Sequence, residues 1–283
     1  MLVFAQRGHH AVFPGNTLQA FDAAVRLGVD GIQTDVRLSG DGVAVLFSDE
    51  HVRGRPVADL SRHDIARIVG HEVPTLNEAL LRFPKPVWNI EIKAPAAIGV
   101  VLQAVSAFAA TRRMVVTSVH HELVARCAGV APVPAGLLLA YAPSDLPGLL
   151  AGHAASTWLR TLVWDQRILT PTLLRQAQAA RWWNYVRGVD DADSMRLLAR
   201  HGIDALITDR ADLVPAELRV ATAAAPRDAL PGAAATAGDA ATGGPAAGEV
   251  PAGVGRTAEP EPRMDAATLL RASIDSWSKE AGW

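Results

Sequence analysis

The sequence predicts an α/β protein built on a parallel sheet, and two observations lead to this prediction. Short runs of β-branched and apolar residues alternate with longer stretches in which apolar residues recur at helical spacing, as in repeated βα units. The 283 residues, 49% of them hydrophobic, allow one large domain with a sizeable core. The sheet closes into a (β/α)₈ barrel or stays open and doubly wound. A dinucleotide-binding fold has little support, because no Gly-x-Gly-x-x-Gly turn follows the first strand.

Nine segments have the composition of strands: residues 2–5, 32–38, 43–47, 87–92, 114–117, 135–140, 159–163, 182–186 and 205–207. A barrel of this kind has eight strands, so one segment lies outside it or is not a strand. We expect the exception to be segment 159–163, because Arg160 interrupts its apolar run. Residues 39–42, Ser-Gly-Asp-Gly, predict a turn between the second and third segments.

Helices are predicted between these strands. The first three begin at side chains that can cap a helix, namely Asn16-Thr17, Ser61 and Thr75. The first of them ends at Gly28, and the other two extend through residues 68 and 81. The remaining predicted helices are 96–110, 121–128, 171–180 and 191–201.

The composition changes after about residue 220, so the barrel is predicted to occupy residues 1–219. Residues 220–263 are rich in Ala, Gly, Pro and Thr, which is typical of a flexible linker. In residues 264–283, Leu270, Ile274 and Trp277 recur at helical spacing and predict a short amphipathic helix. This helix either packs or frays at the terminus of the chain, or it docks into the groove of a protein partner.

Charge, cysteine content and hydropathy exclude several classes of protein. A formal net charge of −2 argues against nucleic-acid binding. The single cysteine, Cys127, excludes an internal disulfide and is expected to be a small buried apolar side chain. No apolar run is long enough to predict a membrane span. The N-terminus has no basic region ahead of its apolar run, so we expect no signal peptide and a cytoplasmic protein.

Polar residues lie in and after the second and third strand segments. Gln33 and Asp35 are within segment 32–38, and Ser48 and Asp49 follow segment 43–47. In a (β/α) barrel the chemistry lies at the carboxyl ends of the strands. We therefore expect a functional site at this end of the barrel, with Asp35 in it.

Several stretches together resemble the glycerophosphodiester phosphodiesterase family, in order and spacing, over residues 3–214. They are Arg7-Gly8, Asn16-Thr17, GVDGIQTDV at 28–36, Asp41-Gly42, SDE at 48–50, VADLS at 57–61, VPTLNE at 73–78, NIEIK at 89–93 and GIDALITDR at 202–210. The resemblance implies a TIM barrel of the phosphodiesterase type. It also implies metal-assisted cleavage of a glycerol phosphodiester, a phosphoric diester hydrolysis in glycerophospholipid metabolism, in which two histidines serve as general acid and base.

Carried over position by position, the resemblance places this chemistry on a set of residues that is partly substituted. The metal-ligand positions fall on Gln33, Asp35 and Glu91, and the two histidine positions fall on Gln6 and Ser48. Beside them, Arg7 and Lys93 either grip a phosphate oxygen or only pair with the two carboxylates.

The substitutions change what the site can do. An amide or an alcohol does not exchange protons near neutral pH as an imidazole does, so Gln6 and Ser48 are not acid–base groups. Each such group contributes about 10²–10⁴-fold to a rate. Gln33 removes one negative charge from the metal site, so Mg²⁺ or Ca²⁺ is expected to bind only weakly.

Three hypotheses follow. The chain is a catalytically impaired barrel that binds a small phosphodiester or phosphate ligand. Alternatively, it is an active metal-dependent phosphodiesterase that uses His9, His10 or His51 in place of the missing histidines, although these side chains can also be solvent-exposed loop residues. The third hypothesis is a non-catalytic scaffold whose residues 264–283 recruit a protein partner.

Overall fold

The structure, a computed structural model, describes the backbone of residues 1–223 and the side chains of residues 1–219. Within that range the strands are β1 (Leu2–Gln6), β2 (Gly31–Leu38), β3 (Ala44–Leu46), β4 (His51–Val52), β5 (Arg55–Pro56), β6 (Val87–Ile92), β7 (Met114–Ser118), β8 (Ala135–Leu139), β9 (Leu159–Asp165), β10 (Trp183–Arg187) and β11 (Ala205–Thr208). The helices are α1 (Leu18–Arg26), α2 (Arg62–Val69), α3 (Leu76–Arg82), α4 (Ile98–Phe108), α5 (His121–Val130), α6 (Leu146–Gly152), α7 (Pro171–Ala179), α8 (Ala192–Arg200) and α9 (Ala216–Ala223).

Eight parallel strands form a closed barrel. Their order around it is β1, β2, β6, β7, β8, β9, β10 and β11, and the barrel closes because β1 pairs with both β2 and β11. Successive barrel strands are separated by at least one helix along the chain, as the spacing of apolar residues predicts. The predicted (β/α)₈ barrel is confirmed, and the open doubly wound alternative is wrong.

The segment that we expected to lie outside the barrel is one of its strands. β9 pairs in parallel with β8 and β10, and Arg160 is accommodated because its guanidinium lies over the ring of Trp182, 5.8 Å from the centroid. Of the nine predicted segments, the one outside the barrel is 43–47, which forms β3 and pairs with β2 in antiparallel fashion. The four-residue turn requires this pairing, because a connection that short joins only antiparallel strands.

Side-chain caps begin the first three helices, as predicted. The hydroxyls of Thr17, Ser61 and Thr75 each accept a hydrogen bond from the backbone N–H three residues on. At Thr75 the cap is reciprocal, because the Glu78 carboxylate accepts from the Thr75 N–H at 2.8 Å.

Helix α6 is absent from the sequence prediction. It contains a proline and two glycines, which are poor helix formers, and this composition hides it. Asp145 caps it by accepting from the Gly148 N–H at 2.9 Å, and the side chains of Leu146 and Leu150 are buried in the core. Burial of those two side chains therefore outweighs the low intrinsic propensity of the segment.

The core has two layers. A cluster drawn from the barrel strands, including Phe4, Val115 and Tyr185, fills the barrel interior. A larger cluster combines the opposite faces of strands with the apolar faces of helices, as at Trp164, Leu174 and Met195. The interior is therefore packed, and polar side chains are left to gather at its carboxyl end.

The predicted linker, residues 220–263, and the predicted helix, residues 264–283, lie outside the residues whose side chains are described. The boundary at residue 219 stays a prediction. Among the described residues, no helix is both long and apolar enough to span a membrane.

Candidate active site

The pairing of β2 with β6 sets the geometry of the barrel mouth. Asp35 and Glu91 are register partners near the carboxyl ends of these two strands, so their side chains emerge together. Gln33 lies two residues before Asp35 and therefore shares its face of the sheet. The three side chains are buried, with Asp35 1% exposed and Gln33 and Glu91 4% exposed.

The amide of Gln33 bridges the two carboxylates. Its Nε2 donates to Asp35 Oδ1 at 3.0 Å and to Glu91 Oε2 at 3.2 Å. An amide nitrogen carries two hydrogens, one for each carboxylate, whereas the amide oxygen would be repelled by both. The other end of the amide, Oε1, is buried and accepts no hydrogen bond from the described residues.

Arg7 follows β1 and pairs with Asp35, its Nε 2.7 Å from Asp35 Oδ2. Its backbone has a φ of +54°, a conformation that a non-glycine residue rarely adopts. Two backbone hydrogen bonds support it: the Arg7 N–H donates to the Gln33 carbonyl at 2.8 Å, and its carbonyl accepts from the Asn16 N–H at 3.0 Å. Gly15 leaves room for the arginine, because a Cβ there would lie 3.2 Å from Arg7 Cβ.

Asn16 positions Asp35. Its Nδ2 donates to Asp35 Oδ2 at 3.2 Å, while its Oδ1 accepts from the Asp35 N–H at 3.2 Å and from the Thr34 hydroxyl at 2.8 Å. The residue has a φ of +61°, which asparagine tolerates better than most side chains. The sequence assigns Asn16 only to the start of α1, because its contact with Asp35 depends on the fold.

Two cations approach Glu91 from different sides of the barrel. Lys93 Nζ lies 2.9 Å from Glu91 Oε1. Arg187 Nη1 lies 3.8 Å from Glu91 Oε2, and its strand β10 is diametrically opposite β6 in the barrel order. Sequence reasoning missed Arg187. Its place as the last residue of a barrel strand was the available signal.

Of the three loop histidines, His10 is joined to this end of the barrel by polar contacts. Its Nδ1 lies 2.8 Å from the carbonyl oxygen of Gln6, and since a carbonyl only accepts, Nδ1 carries the hydrogen. Its Nε2 lies 3.6 Å from Asp209 Oδ1. Burial raises the pKa of Asp209, and His10, Arg7 and Arg187 oppose that rise.

Among the described residues, the side chains of Ser48, His9 and His51 make no hydrogen bond or ion pair with Asp35 or Glu91. The hydroxyl of Ser48 donates to Asp49 at 2.8 Å, and the Ser48 carbonyl accepts from Arg37 Nε at 3.0 Å. His51 is exposed on the β4–β5 hairpin. In the described part of the chain, His9 Nδ1 is buried without a hydrogen-bond partner.

As arranged here, the donor set does not fit a divalent cation. Mg²⁺ and Ca²⁺ take oxygen ligands, but a nitrogen donor, the Gln33 amide, stands between the two carboxylates. Within residues 1–219, no group of three or more His, Cys, Asp or Glu side chains is placed to hold a metal. The weak Mg²⁺ or Ca²⁺ site stays a prediction, and an ion there would require the amide to turn its oxygen inward.

Comparisons with known proteins place the chain in one family. Residues 7–213 match the sequence model of the glycerophosphoryl diester phosphodiesterase family. A protein named probable glycerophosphodiester phosphodiesterase 2, from Mycobacterium tuberculosis, is 30% identical over 240 residues, which cover 75% of this chain and 89% of that protein.

Solved structures agree on the fold. A glycerophosphodiester phosphodiesterase from Thermotoga maritima superposes with a TM-score of 0.67 at 24% identity, covering 75% of this chain and 96% of the other. A phosphodiesterase from Oleispira antarctica, solved in complex with the product sn-glycerol-3-phosphate, gives 0.62 at 19% identity, covering 78% and 97%. By the match over residues 7–213 and the similarity to the mycobacterial protein, this chain belongs to the glycerophosphoryl diester phosphodiesterase family.

Proposed function

We propose that this chain binds a glycerol phosphodiester, or the phosphate monoester it yields, at the barrel mouth and hydrolyses the diester poorly. The observation that carries the proposal is the set of three cations, Arg7, Lys93 and Arg187, beside two buried carboxylates. Cations at the mouth of a barrel are suited to phosphate oxygens. The product named with the Oleispira antarctica structure, sn-glycerol-3-phosphate, has the matching chemistry.

Poor turnover follows from the side chains at the two family histidine positions. Gln6 and Ser48 cannot exchange protons near neutral pH as imidazoles do, and the hydroxyl of Ser48 is directed to Asp49. Loss of both groups costs about 10⁴–10⁸-fold if they act independently, and less if they act as one unit.

A second candidate, an active phosphodiesterase, has one observation in its favour. The His10 ring is oriented by the hydrogen bond from its Nδ1 to the Gln6 carbonyl, which leaves Nε2, 3.6 Å from Asp209 Oδ1, as the nitrogen that can exchange a proton. In that case His10, and neither His9 nor His51, is the replacement acid–base group.

The two candidates are separated by an assay of glycerophosphocholine hydrolysis with Mg²⁺, Ca²⁺ or Mn²⁺. We expect choline release by the full chain to be close to that of buffer, and we expect sn-glycerol-3-phosphate to bind. The triple variant Gln6→His, Ser48→His, Gln33→Glu is expected to turn over at least about 10²-fold faster than the unsubstituted chain.

Hydrolysis by the unsubstituted chain that disappears in Glu91→Ala would contradict poor turnover. If His10→Gln also abolishes it while His63→Gln, at an exposed position on α2, does not, the second candidate is correct. The cytoplasmic location and a protein partner for residues 264–283 stay predictions.

A further inference from the structure

We propose that the barrel mouth binds the phosphate group without a divalent cation, because the Gln33 amide takes the place between the two carboxylates. The proposal rests on the proposed phosphate site and specifies how that site works. It differs from the metal-assisted chemistry that the family resemblance implies.

The two carboxylates are bridged by the Gln33 amide. Two carboxylates brought together repel each other unless a positive charge or donor hydrogens lie between them. Here Nε2 of Gln33 supplies one hydrogen to Asp35 Oδ1 and one to Glu91 Oε2. The other two oxygens are also matched, Asp35 Oδ2 by Arg7 and Asn16 and Glu91 Oε1 by Lys93. No acceptor of this pair needs a metal ion to satisfy it.

The three cations are partly exposed and have unused hydrogen-bond donors. The side chains of Arg7, Lys93 and Arg187 are 33%, 25% and 31% exposed, so each is accessible from the mouth. Arg7 contacts Asp35 through Nε at ion-pair distance but without hydrogen-bond geometry, and its two Nη atoms make no hydrogen bond to residues 1–219. The ammonium of Lys93 has three hydrogens, and one hydrogen bond is made. These spare N–H groups can donate to the oxygens of a phosphate without breaking the pairs with the carboxylates.

The charges of the side chains at the barrel mouth also favour an anion. Two carboxylates face three cations through direct ion pairs. An anion is therefore attracted without an added cation. A third carboxylate at position 33 would cancel this excess of one positive charge and leave a site that needs a metal before it can take phosphate.

The proposal is tested by isothermal titration calorimetry, in which inorganic phosphate is titrated into the full chain at constant ionic strength, once with EDTA and once with Mg²⁺. We expect dissociation constants that agree within about twofold. Lys93→Met and Arg187→Met are each expected to weaken binding at least about tenfold, by loss of a charged hydrogen-bond donor. Arg175→Met, at an exposed position on α7, is the control and should bind as the unsubstituted chain does.

The outcomes separate this proposal from the proposed function. Binding with Mg²⁺ but not with EDTA overturns the metal-independent site and leaves the phosphate site standing. The absence of binding under both conditions overturns both. Gln33→Glu adds a second readout. We expect this variant to bind Mn²⁺, detected by electron paramagnetic resonance, and to bind phosphate only when the metal is present. If it does not fold, the comparison on the unsubstituted chain still decides.

Discussion

At the scale of single residues, the site depends on which end of one amide points inward. A glutamate at position 33 would present only acceptors to Asp35 and Glu91, whereas Gln33 presents two hydrogens. One side chain therefore changes the site from one that needs a cation to one that satisfies itself. A single buried polar substitution has this large effect because electrostatic interactions are strong where water is excluded.

Asn16 provides a prediction about positioning. Asn16→Gly keeps the positive φ accessible but removes the bonds to Asp35 and Thr34, so we expect it to lower the free energy of unfolding by about 1–3 kcal/mol. Asn16→Ala removes the same bonds and adds the cost of a left-handed backbone, about 1–2 kcal/mol more. Urea unfolding measures both, and equal stabilities of the two variants would contradict the assignment of strain to this position.

The sequence predicts some of these residues and not others, for physical reasons. Asp35 was expected at the site because the chemistry of a barrel lies at the carboxyl ends of its strands, and Glu91 was expected beside it because of the family resemblance. The direction of the Gln33 amide was not predictable, since it depends on the two carboxylates that only the fold brings together. Arg187 was missed because no local pattern connects the end of β10 with Glu91 across the barrel.

At the scale of elements, short connections control where the site residues lie. The turn of residues 39–42 makes β3 antiparallel to β2, so Ser48, which follows β3, does not stand at the end of a barrel strand. The segment 159–163 was judged unsuitable for the barrel from Arg160 alone, yet one outward polar side chain is compatible with a barrel strand. The starts of the first three helices were predicted correctly from their capping residues, because a cap depends on three or four consecutive residues and on nothing distant.

Gly8 provides a prediction at this scale, with Gly42 as its matched control. Both glycines have a positive φ, +78° and +76°. A Cβ at Gly8 would lie 2.6 Å from the backbone carbon of Ala20 in α1, whereas a Cβ at Gly42 would meet nothing within 4 Å. Gly42→Ala should cost about 1–2 kcal/mol of stability through its backbone alone.

Gly8→Ala should cost clearly more than Gly42→Ala, since α1 must also move away from the loop that holds Arg7. The free energies of unfolding from urea titration test this. Similar losses of unfolding free energy in the two variants would mean that the close approach of the loop to α1 does not contribute to stability.

At the scale of the whole molecule, the reactivity of one buried thiol reports how well the helices pack on the barrel. Cys127 lies on α5 and is 3% exposed, as expected from the sequence. Burial raises the pKa of its thiol to about 12. At pH 8 the reactive thiolate is therefore scarce in the folded chain, and it becomes more abundant as the pH rises toward 12.

We expect iodoacetamide to alkylate the folded chain at pH 8 about 10³-fold more slowly than the chain unfolded in guanidinium, whose cysteine has a pKa near 8.5. The unfolded rate should level off above about pH 9, while the folded rate should keep rising. Cys127→Ala is the control for labelling at other groups. Comparable folded and unfolded rates would show that α5 opens readily.

Metal-free phosphate binding can be tested with a crystal structure of the chain grown with Mn²⁺ and sn-glycerol-3-phosphate, with anomalous diffraction recorded at the manganese edge. We expect phosphate density against Arg7, Lys93 and Arg187, with the Gln33 nitrogen still between Asp35 and Glu91 and no anomalous peak there. An anomalous peak between the two carboxylates, with the Gln33 oxygen turned toward it, would show instead that the site holds a metal.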